Sequence, residues 1–146
     1  MEKMTYRQLK DKHQKEVNAF PFGFCSSEKQ FREMMNKWGL DPEKDLDKIV
    51  SLEGGTYARK SDLEDFRNLV KRHKEELAKA LENKDFLFQA FRYELANREY
   101  YYSGDNEAVL GALGITLEGL TEEQRLLYIE AKKAYYKSID REGEGA

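Results

Sequence analysis

The stretch Asp85-Phe86-Leu87-Phe88-Gln89-Ala90-Phe91-Arg92-Tyr93-Glu94-Leu95-Ala96-Asn97-Arg98-Glu99-Tyr100-Tyr101 decides the fold. Phe88, Phe91 and Leu95 recur at three- and four-residue steps, the spacing of one helical face. Phe86, Leu87 and Ala90 widen that face well beyond the stripe of a surface helix. A rod apolar over so broad an arc has to be surrounded, so the spacing predicts a central helix over 85–101.

Outward from this segment, the chain reads as further helices with marked starts. Four capping boxes stand at Thr5 with Gln8, Ser27 with Gln30, Ser61 with Glu64, and Thr121 with Gln124. In each, a hydroxyl receives the N3 amide and the residue three on reaches back. The helices they open are predicted over 6–19, 27–38, 61–81 and 122–140. A shorter one is predicted from Asn106 to Leu113. Phe20-Pro21 stops the first helix, because the residue before proline avoids the α region. Trp38-Gly39-Leu40 and Leu113-Gly114-Ile115 read as glycine stops with an apolar residue following. Asp41-Pro42 reads as a cap with proline at the first helical position. On the helix after Ser61, Leu63, Phe66, Val70, His73, Leu77 and Leu81 fall on one stripe.

Residues 49–60 break this pattern. Ile49–Glu53 and Thr56–Lys60 flank Gly54-Gly55, which reads as a two-residue hairpin loop. That loop would set Leu52 opposite Tyr57 and Val50 opposite Arg59. The expected fold is mainly α: a compact bundle of five or six helices with one small β-hairpin. It is expected as a single domain over 1–140, with 141–146 a frayed tail.

Composition narrows the function classes. The chain has 146 residues, 40% hydrophobic and 36% charged, enough to bury a core without disulfide or metal. With 25 basic and 28 acidic residues the net charge is −3, which offers no global attraction for a polyanion. One cysteine, Cys25, cannot form an intrachain disulfide, and the N-terminus lacks the apolar core of a signal peptide. No run of about 18 apolar residues occurs, so no membrane span is read. The expected setting is the cytoplasm.

Four groups of residues are weighed for chemistry. Cys25 precedes a helix start, where amides can activate a thiol, with His13 or His73 as a base; a small residue completing the aromatic connector 20–24 is the simpler account. Glu94, Asn97, Arg98 and Glu99 form a polar cluster on an otherwise apolar helix. It is read as hydrogen bonding between helices, since no histidine accompanies it to build a metal or acid–base site. Tyr100, Tyr101, Tyr102, Tyr135 and Tyr136 are candidate interface anchors, tyrosine being enriched where proteins meet. Lys71–Lys74 and Lys132–Lys137 are basic clusters with acidic neighbours, the usual composition of a solvated face. No catalytic residue, metal ligand or cofactor is assigned, and no HExxH, CxxC, GxSxG or phosphate-loop motif occurs.

Three stretches together carry a family resemblance: Asn18-Ala19-Phe20-Pro21-Phe22-Gly23-Phe24, then Gly54-Gly55-Thr56-Tyr57-Ala58-Arg59-Lys60-Ser61-Asp62, then Glu94-Leu95-Ala96-Asn97-Arg98-Glu99-Tyr100. In that order they resemble a family of small uncharacterised proteins from Firmicutes, found in phages and other mobile elements. The likeness runs from the first helix through Gly114. It implies an accessory protein that acts by binding a host protein, and that family pattern often has histidine where Arg98 stands. The expected function is therefore a non-enzymatic, protein-binding module, able also to self-associate. Nucleic-acid binding through the lysine clusters, and an enzyme built on the Glu94/Asn97/Glu99 cluster or on Cys25, are the alternatives.

Overall fold

The computed structural model describes residues 4–144, with side chains through Asp140. Among these residues are seven α-helices and a three-stranded antiparallel sheet. The mainly α expectation holds. The helices are α1 (Tyr6–Asn18), α2 (Glu28–Lys37), α3 (Leu63–Ala80), α4 (Lys84–Asn97), α5 (Tyr100–Ser103), α6 (Asn106–Gly111) and α7 (Glu122–Glu144). The strands are β1 (Gly23–Phe24), β2 (Ile49–Ser51) and β3 (Thr56–Arg59), in the order β1-β3-β2.

The chain divides into two compact units, with the divisions falling inside α1 and α3. One comprises residues 1–14 and 73–146, the other residues 15–72.

The first unit is built around α4. Ala90, Phe91 and Leu95 are completely buried, and Tyr6 and Leu9 of α1, Val109 and Leu110 of α6, and Tyr128 and Ala131 of α7 close over them. Two of its helix starts, those of α1 and α7, are capping boxes marked in the sequence. The Gln8 amide donates to Thr5 Oγ1 at 3.1 Å while Gln8 Oε1 accepts from the Thr5 amide at 2.9 Å. Thr121 and Gln124 repeat that reciprocal pair, and Asn83 caps α4 by accepting from the Phe86 amide.

The central helix departs from expectation at its far end. It stops at Asn97, and Glu99 takes a left-handed φ of 50° before the chain resumes as α5. A non-glycine residue there puts its Cβ against its own carbonyl, so no local sequence preference announces it. The predicted single helix over 85–101 is therefore two, which brings the helix count to seven. At the other end of the unit, α7 continues to Glu144, beyond the predicted stop at Asp140. Gly145 and Ala146, part of the expected tail, lie outside the described residues.

The second unit packs the sheet against α2 and the start of α3. Met35 and Ala58 are fully buried, and Phe20, Phe22 and Phe66 form a ring cluster with centroids 4.8–5.2 Å apart. Two of the three rings of the aromatic connector 20–24 are thus packed locally, while Phe24 is exposed. Ser27 accepts from the Gln30 amide, but Gln30 returns its side-chain oxygen to Ser26. Ser61 sits within a 3-10 turn over Lys60–Asp62 that leads into α3.

The hairpin forms with its register one residue away from the predicted one. Ile49 pairs with Arg59, Val50 with Ala58 and Ser51 with Tyr57. Glu53 has joined the loop, so the turn is Glu53-Gly54-Gly55, with both glycines at positive φ. The third strand, β1, is only two residues long and carries no periodic signal. It pairs Gly23 with Tyr57 and Phe24 with Thr56, and the Cys25 amide extends the ladder to the Gly55 carbonyl at 3.0 Å.

That last bond makes the two glycines unequal. A Cβ on Gly55 would stand 2.7 Å from the Cys25 carbonyl oxygen, whereas one on Gly54 would meet nothing within 4 Å. Gly54→Ala should cost about 1 kcal/mol, the left-handed penalty alone. Gly55→Ala should cost about 2–3 kcal/mol, because backbone must also move. Urea denaturation of the two variants measures the difference; equal losses would show that the β1–β3 junction yields freely.

Candidate functional site

The most heavily bonded side chain in the first unit is Glu94, a fully buried carboxylate on the inner face of α4. Its Oε2 accepts from Tyr6 Oη at 2.7 Å and from Lys10 Nζ at 2.9 Å. Its Oε1 accepts from Asn97 Nδ2 at 3.2 Å and from Arg98 Nε at 3.4 Å. Helical spacing explains the geometry. Asn97 and Arg98 stand three and four residues on from Glu94, and Tyr6 and Lys10 share one face of α1 at the same four-residue step.

Two oxygens receiving four donors leave little lone-pair capacity unused. Burial pushes the Glu94 pKa up, but the hydrogen bonds from Lys10, Tyr6 and Asn97 push harder the other way and leave it below the ordinary carboxylate range. Tyr6 is displaced upward, first by burial and then by its bond to the same carboxylate. Lys10 also lies over the Tyr93 ring, 5.0 Å from its centroid. A carboxylate held ionised and fully engaged is a poor base and a good fastener.

Of the four predicted cluster residues, Glu94, Asn97 and Arg98 are brought together. Glu99 is exposed and forms the left-handed joint instead. Two participants escaped the sequence reading, Tyr6 and Lys10. The available signal was their shared stripe with Leu9 and His13 on α1, which marks an inward face without naming what it meets.

A second polar group joins α1 to α3 within the same unit. The rings of His13 and His73 stack with centroids 3.8 Å apart and planes 15° from parallel. His13 Nε2 lies 3.0 Å from Glu76 Oε2, and Lys12 Nζ lies 3.5 Å from the same atom. The bond to His13, aided by Lys12, holds the Glu76 pKa below its usual range despite partial burial. His73, read as an apolar-stripe residue, therefore packs ring on ring. Cys25, in the other unit, is half-buried with its amide in the β1–β3 ladder. Among the described residues no group of three or more His, Cys, Asp or Glu is placed to hold a metal ion.

The five candidate tyrosines separate into a base and a surface. Tyr100 and Tyr135, expected as anchors, are buried in the core. Consecutive helical residues point about 100° apart, so a run of tyrosines cannot all face outward. Tyr135 Oη accepts the Tyr101 amide at 3.0 Å, which fixes α5 on α7. Tyr101, Tyr102 and Tyr136 are 54%, 85% and 38% exposed. Tyr101 meets Tyr102 edge-on at 5.2 Å and Tyr136 at 6.1 Å, so the three rings are contiguous. Beneath them Lys132 lies 4.3 Å from the Tyr128 centroid and 5.0 Å from that of Tyr100.

In each basic cluster one cation is ion-paired with a glutamate. Lys133 pairs with Glu130 at 3.4 Å, and in the other unit Arg72 pairs with Glu16. No helix among the described residues is long and apolar enough to cross a membrane.

A clamped interior carboxylate and an outward tyrosine cluster are thus the two main side-chain arrangements of a small, mainly α protein. The chain belongs to a family of unknown function, DUF7659, whose model matches residues 5–138. No curated protein and no solved structure matches it.

Proposed function

We propose that this protein is a non-enzymatic binding module whose partner is another protein, engaged through Tyr101, Tyr102 and Tyr136. The observation that carries the reading is the contiguous exposed aromatic surface they form on α5 and α7. Tyrosine offers a large apolar ring at low entropic cost and a hydroxyl for the rim, which is why it recurs among binding hot spots. The bond from the Tyr101 amide to Tyr135 Oη orders the patch before any partner arrives. The resemblance carried by the three sequence stretches supports the setting: an accessory protein of a phage or mobile element, acting on a host protein.

Local pairing of Lys133 and Arg72 with glutamates weighs against the nucleic-acid alternative. The four donors on Glu94 weigh against a catalytic carboxylate there. Affinity capture from host lysate tests the proposal. The triple variant Tyr101→Ala, Tyr102→Ala, Tyr136→Ala should keep its helical circular dichroism and lose a captured protein by about 30-fold or more, the equivalent of one hot-spot residue. Capture at the wild-type level by a folded triple variant removes this surface from the account.

A further inference from the structure

The second unit carries a groove of about 430 Å³ between its first strand and α2. One wall is β1 with Phe22 ahead of it. The other is a single face of α2, with Glu33, Met34 and Lys37, and Trp38 at the end of the helix. Among the described residues β1 pairs only with β3, so the strand wall is a sheet edge.

The ladder fixes which backbone groups that edge offers. In an antiparallel pair, successive residues turn both N–H and C=O alternately toward the partner strand and away from it. The Cys25 amide donates to the Gly55 carbonyl, so Cys25 and, two residues back, Gly23 face β3. Phe24 stands between them and turns its N–H and C=O away from β3, along the outer edge. To either side the amides are engaged: Phe22 donates to the Phe20 carbonyl and Ser26 to the Gln30 side chain. A donor and an acceptor side by side on an extended residue are matched by one chemistry, a second extended backbone. The helix wall adds selectivity. A Cβ on Gly23 would strike Met34 Sδ and touch the Trp38 ring, so α2 lies directly on the strand. A residue added opposite Gly23 therefore sets its side chain beside Met34 and Trp38. Glu33 and Lys37 are exposed on the same wall, and neither is ion-paired among the described residues.

We propose that the β1 edge takes up a short extended segment of a partner protein as a fourth strand, with an apolar residue against Met34 and Trp38 and a base and an acid meeting Glu33 and Lys37. This is β-strand addition, in which main-chain bonds supply affinity and pockets for alternate side chains select the sequence. It goes beyond the tyrosine surface, which belongs to the other unit, and does not depend on it.

The probe is the peptide acetyl-Thr-Lys-Thr-Leu-Thr-Glu-Thr-amide, which sets lysine, leucine and glutamate on one face of a strand. Titrated into the full chain, it should give saturable NMR shifts of the backbone amides of residues 22–25. N-methylation of the two threonines beside its leucine removes the donor to the Phe24 carbonyl, and should weaken binding at least about fivefold. Phe24→Pro deletes the outward N–H while touching no ladder bond, a change edge strands tolerate, and should cost about fivefold as well. Phe24→Ala keeps both backbone groups and should stay within about twofold of wild type. The methylated peptide leaves the protein unaltered, so its result stands even if Phe24→Pro disturbs the sheet. The proposal is overturned by absence of shifts at residues 22–25, or by equal affinity of the methylated peptide. It is equally overturned if sedimentation shows that a second copy of the chain occupies this edge and excludes the peptide.

Discussion

Replacing Glu94 by alanine is expected to lower stability by about 3 kcal/mol at neutral pH. Two losses make up that figure. The Tyr6 hydroxyl, in a residue only 4% exposed, loses its acceptor, and an orphaned buried hydroxyl costs about 1–3 kcal/mol. The missing side chain also leaves a void beside Leu95, and voids in packed helices cost on the same scale. The cations add less, because the Lys10 and Arg98 side chains are 40% and 44% exposed and can turn to water. The variant also carries a pH signature. The folded Glu94 pKa lies below the unfolded one, so its contribution is complete above the unfolded carboxylate range and fades as pH falls through the folded value. The gap between wild type and Glu94→Ala should therefore narrow below about pH 4. Guanidinium denaturation at neutral and acidic pH measures both. A gap under about 1 kcal/mol at pH 7, or one that stays constant into acid, would falsify the view of Glu94 as the fastener between α1 and α4.

Phe91→Ala is expected to be the most damaging single truncation, at about 4 kcal/mol. Phe91 is completely buried at the centre of α4, and its ring packs on Tyr128 of α7 with centroids 4.8 Å apart. Removing it takes away the apolar area and the aromatic pair together. The surrounding Leu95, Leu110 and Ala131 are themselves fully or almost fully buried, so little can move in to fill the space. In thermal melts this corresponds to a drop of roughly 10 °C for a chain of this size. Unlike the Glu94 variant, its loss should not depend on pH, since no proton is linked to the ring. A loss below 2 kcal/mol would mean that α4 is not the element on which the others are packed.

Two helix starts were fully legible in the sequence because capping is chemistry between residues three apart, whereas Gln30 turned to Ser26 and Ser61 lies in the 3-10 turn ahead of α3. Thr5 with Gln8 and Thr121 with Gln124 close as their order along the chain requires. The apolar breadth of the segment around Phe91 likewise placed α4 at the centre of its unit. What failed was decided at a distance or by a single backbone angle. Gly54-Gly55 looked like a complete two-residue loop, and nothing local says that Glu53 joins it. β1 exists only because β3 offers it an edge. Glu94 could be recognised as a polar residue on an apolar face, but Tyr6 and Lys10 lie 88 and 84 residues away. Periodicity shows which face is turned inward; it does not reveal what it meets. All five tyrosines were read as anchors, and nothing local in the sequence says that Tyr100 and Tyr135 would be the buried pair.

One dihedral angle has a reach beyond its own residue. Because Glu99 bends the path between α4 and α5, the turn bearing Tyr101 and Tyr102 is aimed separately from the rod it follows. The turn is therefore set from two sides, by the bend at Glu99 and by α7, through Tyr100 in the core and the Tyr101 amide on Tyr135 Oη. A substitution at Glu99 therefore bears first on the direction of the exposed Tyr101 and Tyr102 rings, while Phe91 and Glu94 lie on the helix before the bend.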